Sequence, residues 1–83
     1  VYTATMTREV QEEGRTLSYF ALTRDRDGKL VGFMVCANIQ IGENKNAEFW
    51  YVDSDKENPK REMYSNRNEC FKRAVRAWKN RGG

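Results

Sequence analysis

The sequence contains no histidine, only two cysteines, one proline and no long apolar run. Without histidine, a Cys and His nucleophile arrangement is excluded and zinc chemistry loses its usual ligand. Cys36 and Cys70 are too few for a disulfide framework and too far apart in sequence for a metal motif. A bridge between them needs both side chains on one side of the sheet, and the pairing inferred below puts them on different sides. No stretch approaches the ~20 apolar residues that cross a bilayer, and no charged segment leads into a short apolar one as in a signal peptide. The chain begins at Val1 rather than Met, so removal of a leader stays open, as does secretion; the cytoplasm is the favoured compartment. No membrane, metal or cofactor is expected.

At 83 residues the chain forms one domain, with room for a single small core and none for a separate catalytic lobe. Its 39% hydrophobic content, with two Trp, four Tyr and four Phe, places it among folded globular chains. The net charge of +3 hides an asymmetry. Val1 to Asp55 carries six Lys or Arg against nine Asp or Glu, whereas Lys56 to Gly83 carries nine against three. Such a basic block marks a nucleic-acid or acidic-protein contact, or simply a solvated surface.

The clearest periodic signal runs from Asn66 to Asn80. Phe71, Ala74, Val75 and Trp78 recur at helical spacing, and Lys72, Arg73, Arg76 and Lys79 fall opposite them. Asn66 and Glu69 have the spacing of a capping box, and Gly82 is placed to stop the helix.

Upstream, the pattern is of strands. Tyr2 to Val10 alternates, with Tyr2, Ala4, Met6 and Val10 on one side. A three-residue turn with Gly14 left-handed leads into Thr16 to Thr23 and sets Met6 opposite Phe20 and Ala4 opposite Leu22; a two-residue turn sets Phe20 against Thr7. Asp27 and Gly28 match the two-residue type I′ preference, which pairs Leu22 with Phe33 and Phe20 with Val35. The same face then continues through Val31, Ala37, Ile39 and Ile41 on a long strand, Leu30 to Ile41. After the polar turn Gly42 to Asn46, the aromatic-rich strand Ala47 to Asp53 turns Trp50 and Val52 inward against Ile39 and Ala37. A shorter loop turns Phe49 and Tyr51 inward instead. Asp53 to Pro59 reads as a loop, and Lys60 to Tyr64 as a short edge strand. The fold class is therefore α+β: a four- or five-stranded antiparallel meander with one C-terminal helix packed on one face.

One helix covers one face of such a sheet and leaves the other free. The expected members of the free face, Leu17, Tyr19, Ala21, Leu30, Met34 and Cys36, are more apolar than a solvated face requires. Unless a loop or the N-terminus folds over it, this is an interface, with Leu17, Tyr19, Ala21 and Met34 as candidate contacts. The second candidate surface is cationic: Lys60, Arg61, Arg67, Lys72, Arg73, Arg76 and Lys79 can track phosphates, with neighbouring aromatics to stack bases. The plainer alternative is a solvated helix face, since Glu57, Glu62 and Glu69 interrupt the stripe.

No catalytic residue is expected. Glu12 with Glu13 and Asp53 with Asp55 sit in expected turns, where acids serve turn geometry. Asp25, Asp27 and Gly28 begin like a calcium loop but lack its remaining ligands. From Phe49 to Trp78 the order of strand, turn, short strand, Ser or Asn cap and helix resembles the plant AP2-type DNA-binding domains and the arm-binding domains of tyrosine integrases. That resemblance is one of topology, and it implies DNA contact through the sheet face away from the helix. The leading expectation is a non-enzymatic protein-interaction module, an inhibitor or accessory factor, that pairs with itself or another protein. The alternative is a nucleic-acid-binding module.

Overall fold

The computed structural model describes residues 1–82. Four antiparallel strands, β1 (Tyr2–Glu12), β2 (Arg15–Arg24), β3 (Lys29–Gly42) and β4 (Lys45–Val52), form one sheet in sequence order. A 3-10 turn, Asp53–Asp55, follows β4, and the C-terminal helix α1 (Arg67–Asn80) packs on β3 and β4.

The helix starts where its cap predicts. Asn66 has extended backbone, and its Oδ1 accepts the Glu69 N–H at 2.9 Å, satisfying a donor that has no partner inside the helix. At the other end Gly82 takes a φ of 87° and its N–H returns to the Lys79 carbonyl. Cys70, Ala74, Val75 and Trp78 are buried, and Phe71 sits at the margin, so the inward stripe centres on the i, i+4, i+8 row Cys70, Ala74, Trp78. They meet Leu22, Val31, Met34, Cys36, Trp50 and Val52 from the sheet, with Tyr2, Ala4, Phe20 and Tyr64 packed around them.

The register differs from expectation in ways that matter. Each of the three hairpins contains a one-residue irregularity. In the first, Glu12 faces Arg15 across a two-residue turn, yet Met6 still faces Phe20 and Ala4 still faces Leu22, because Thr7 is an extra residue in β1. A two-residue turn plus a bulge restores the pairing expected from a three-residue turn. Beyond the bulge, Arg8 and Val10 pair with Tyr19 and Leu17, which moves Val10 off the face of Tyr2, Ala4 and Met6.

In the second hairpin the type I′ expectation fails. Arg24 pairs with Lys29 across a four-residue loop, Asp25 to Gly28, and Gly28 alone in it has positive φ, whereas type I′ needs two such residues. Asp27 instead uses its side chain, accepting the Lys29 N–H at 3.1 Å and the Arg24 guanidinium at 3.1 and 2.7 Å. With Val31 as an extra residue, Leu22 faces Gly32 and Phe20 faces Met34, one position away from the expected Phe33 and Val35. A one-residue shift inverts a strand. Met34 and Cys36 therefore point to the helix, while Phe33, Val35, Ala37 and Ile39 point away. Cys36 and Cys70 consequently lie in the same core rather than on different sides, both as free thiols.

The third hairpin turns Trp50 and Val52 inward as expected, but opposite Cys36 and Met34 rather than Ile39 and Ala37, with Ile41 bulged out and 63% exposed. The expected edge strand over Lys60 to Tyr64 shrinks to one pair, Tyr64 with Trp50. Asn58 holds the preceding residues in a turn, accepting the Lys60 N–H on its side chain and the Arg61 N–H on its carbonyl.

The Asp27 contacts give an acid-stability prediction. Hydrogen bonds from Arg24 and then from the Lys29 N–H lower its carboxyl from 3.8 to about 2. A carboxyl depressed in the folded state contributes stability above its ordinary value and loses it as pH falls toward the folded one. Asp27→Asn should therefore flatten the acid limb of the melting-temperature profile between pH 3.8 and about 2.

Candidate binding surface

The two faces of the sheet can be compared on the same strands. On the helix side the core ends at the row Ser18, Cys36 and Trp50, and the next rows are Gln11, Thr16, Asn38 and Glu48, then Gln40 and Asn46. Where the helix stops covering it, that face becomes polar. Directly behind those polar residues, the other face continues as Val10, Leu17, Ala37 and Phe49, then Ile39 and Ala47. Along β2 and β3 it stays largely apolar although no helix or strand among the described residues lies over it; Glu12 and Arg15 stand beside Ile39, and the loop after β4 reaches only its edge. Phe33 and Phe49 remain 40% and 37% exposed, whereas Val35 and Ala37 are shielded by their neighbours within the sheet.

One row crosses this open face from edge to edge: Arg8, Tyr19, Val35 and Tyr51 are successive cross-strand partners, and Arg61 completes it from the loop after β4. The Arg8 guanidinium lies 4.3 Å from the Tyr19 ring centre, and that of Arg61 lies 5.2 Å from Tyr51. Arg61 also donates to the Lys56 carbonyl at 3.2 Å, which anchors the loop, while its Nε finds no acceptor among the described residues. Beside this row a depression of about 270 Å³ is walled by Tyr19, Phe33 and Tyr51, with Arg8, Lys56 and Asp53 at its rim.

Of the expected interface residues, Leu17, Tyr19 and Ala21 lie on the open face and are half-buried. Met34 does not: it is fully buried in the helix-side core, because the four-residue loop and the Val31 bulge invert β3. Phe33 is exposed on the open face instead, with Val35 and Ala37 on the same side but buried among their neighbours. Arg8, Phe49 and Tyr51 also belong to this face. Arg8 had a signal in the sequence, since the alternation Tyr2, Ala4, Met6 breaks there with a charge where an apolar residue is due.

The cationic candidates divide into separate groups. Lys60 is exposed in the turn held by Asn58, Arg61 lies over Tyr51 of β4, and Arg67 is exposed at the start of α1. Lys72 pairs with Glu69 at 3.6 Å and Arg73 with Asp55 at 3.7 Å. Lys72, Arg76 and Lys79 flank a shallow hollow of about 350 Å³ floored by Tyr2, Phe71 and Val75. One member of each acidic pair is engaged in an ordinary contact, Glu12 with Arg15 at 3.1 Å and Asp55 with Arg73 at 3.7 Å. Burial pushes the Cys36 thiol up to about 11 and the Cys70 thiol up to about 12, so both are protonated near neutral pH. Among the described residues no group of three or more Cys, Asp or Glu is placed to hold a metal ion, and no helix is long and apolar enough to cross a membrane.

Comparison with protein-family models, with curated proteins and with solved structures finds no match in any of the three.

Proposed function

We propose that this chain is a non-enzymatic protein-interaction module, of the kind an inhibitor or accessory factor provides, and that its working surface is the open sheet face. The observation that carries this reading is the contrast between faces. The same strands that present Thr16, Asn38, Gln40 and Glu48 to water on one side present Leu17, Ala37, Ile39 and Phe49 on the other. An antiparallel sheet with one wet face is polar on that face. A face that stays apolar without a cover is stabilised by burial against something else. From Phe33 to Ile39 the strip runs about 20 Å along β3 and about 14 Å across the four strands, a footprint of about 300 Å² in which the apolar residues lie on β2, β3 and β4. A stable interface covers roughly 800 Å² per partner, so the strip has the size of a dry centre with Arg8, Arg15 and Arg61 at its rim.

A photo-crosslinking residue at position 49, compared with one at position 76 on the exposed side of α1, tests this in extract from the source cells. The expected result is a saturable protein adduct from position 49, none from position 76, and its loss in Phe33→Asp with cooperative melting retained. The absence of any saturable adduct from position 49 would refute the reading.

A second reading, nucleic-acid binding through the basic C-terminal third, is supported by the hollow on α1, where Lys72, Arg76 and Lys79 surround the aromatic floor of Tyr2 and Phe71. It predicts a nuclease-sensitive adduct from position 76. It also predicts affinity for single strands that falls with salt at a slope of about −0.7 per phosphate contacted.

A further inference from the structure

We infer that the partner of the open face is an amphipathic helix whose apolar stripe is flanked by carboxylates. This rests on the protein-interaction reading above and specifies the chemistry of what binds. The centre of the face is apolar: half-buried Leu17, Ala21 and Ile39 lie between the exposed rings of Phe33 and Phe49, and Val35 and Ala37 are buried among them. Those residues call for apolar side chains, and the rings left open among them are Phe33 and Phe49. The two tyrosines of the central row are also partly engaged, since each has a guanidinium of its own chain over its ring. A base stacking there would have to displace Arg8 or Arg61.

The charges at the rim select the partner further. Arg8 and Arg61 pair with no carboxylate among the described residues; Arg8 keeps its guanidinium N–H groups free of any hydrogen bond to them, and Arg61, which spends one guanidinium nitrogen on the Lys56 and Asn58 carbonyls, keeps its positive charge unneutralised at the β4 edge. Lys56 stands beside Arg61 at the same edge, against one acid, Asp53, while Glu12 is neutralised by Arg15. Cations therefore border both the β1 and the β4 edges of the strip. A second copy laid face to face would set one cationic rim over the other, an arrangement that like-charge repulsion opposes. Carboxylates on both flanks of an apolar stripe match both edges.

The width favours a helix. Four strands span about 14 Å, and a helix with its side chains is about 10–12 Å across, so one helix fills the strip between Arg8 and Arg61. The opposite face is already covered in this way by α1. The depression walled by Tyr19, Phe33 and Tyr51 then receives one large apolar side chain, the usual form of an interface anchor.

The test uses fluorescence anisotropy with labelled helical peptides of about 18 residues, sharing one Leu and Phe stripe and flanked by Glu, Gln or Lys. An oligothymidine strand is the fourth probe, and sedimentation of the chain alone is run in parallel. The Glu peptide is expected to bind about tenfold more tightly than the Gln peptide, and the Lys peptide most weakly. Phe33→Asp should abolish binding, Arg8→Glu should narrow or invert the order of Glu and Lys peptides, and Arg76→Glu on the helix should change nothing. Equal affinity for the Glu and Gln peptides would overturn the acidic partner while leaving the face as the binding surface. A preference for oligothymidine, a dimer abolished by Phe33→Asp, or no peptide binding would each overturn the inference. Failure of the position 49 crosslink would instead sink the underlying reading.

Discussion

Met34→Asp should leave no cooperatively folded protein, whereas Phe33→Asp, one residue earlier on the same strand, should melt within about 1–2 kcal/mol of the parent. Met34 is fully buried among Leu22, Trp50, Val52 and the inward side of α1. A carboxylate placed there has no partner, and an uncompensated buried charge costs several kcal/mol on top of the lost packing. A domain of this size holds about 4–12 kcal/mol in total, so one such change consumes most or all of it. Phe33 is 40% exposed on the other face, where an aspartate side chain reaches water. Urea titrations followed by far-UV circular dichroism separate the two. A folded Met34→Asp beside an unfolded Phe33→Asp would mean that β3 faces the other way.

The pair is informative because β3 is where the sequence is least decisive. Both of its parities are apolar, with Val31, Phe33, Val35, Ala37 and Ile39 on one and Leu30, Met34 and Cys36 on the other. Alternation therefore cannot choose a face, and the choice passes to the turn. Asp27 and Gly28 favour a type I′ turn by composition, but Asp27 is more strongly engaged through its side chain, bonded to Arg24 and the Lys29 N–H. Side-chain hydrogen bonding of this kind competes with regular turn geometry and is invisible to a dipeptide rule. The strands of the first hairpin alternate more cleanly, so the partners of Ala4 and Met6 were legible even though the turn itself is one residue shorter than expected. The helix was legible because its spacing and its Asn66 cap are local.

The open face was half legible for the same reason. Leu17, Tyr19 and Ala21 lie on β2, whose facing is set by the pairing of Phe20 and Leu22 with Met6 and Ala4, whereas the β3 contribution depended on the unresolved choice. The bulges also shape the surface. The extra Thr7, whose hydroxyl donates to the Tyr19 carbonyl at 3.3 Å, turns Arg8 onto the face of that tyrosine and so supplies one of the two edge cations. A regular β1 would have carried Arg8 to the helix side. Deleting Thr7 should thus alter peptide selectivity as well as stability, since every residue from Arg8 to Glu12 would change face.

Trp78→Ala should cost about 3–5 kcal/mol, the range for removing a buried aromatic side chain. Trp78 is 8% exposed and closes the core near the end of the helix. Its ring meets Tyr2 edge-on at 6.2 Å, and Arg24 lies over it at 5.0 Å. Because Arg24 is also held by Asp27, this one ring ties the helix to β1 and to the base of the loop between β2 and β3. Alanine would open a cavity between the helix and the Tyr2 and Arg24 side chains. Equilibrium urea denaturation measures the loss. A value under about 1 kcal/mol would mean that the helix is not the lid of this core. Trp78 lies behind the sheet from Tyr19 and Phe33, so the fraction of Trp78→Ala that remains folded should bind the acidic peptide with parent affinity. Its weakened apparent binding should then equal the parent value scaled by that folded fraction, a relation that separates the stabilising face of the domain from the binding one.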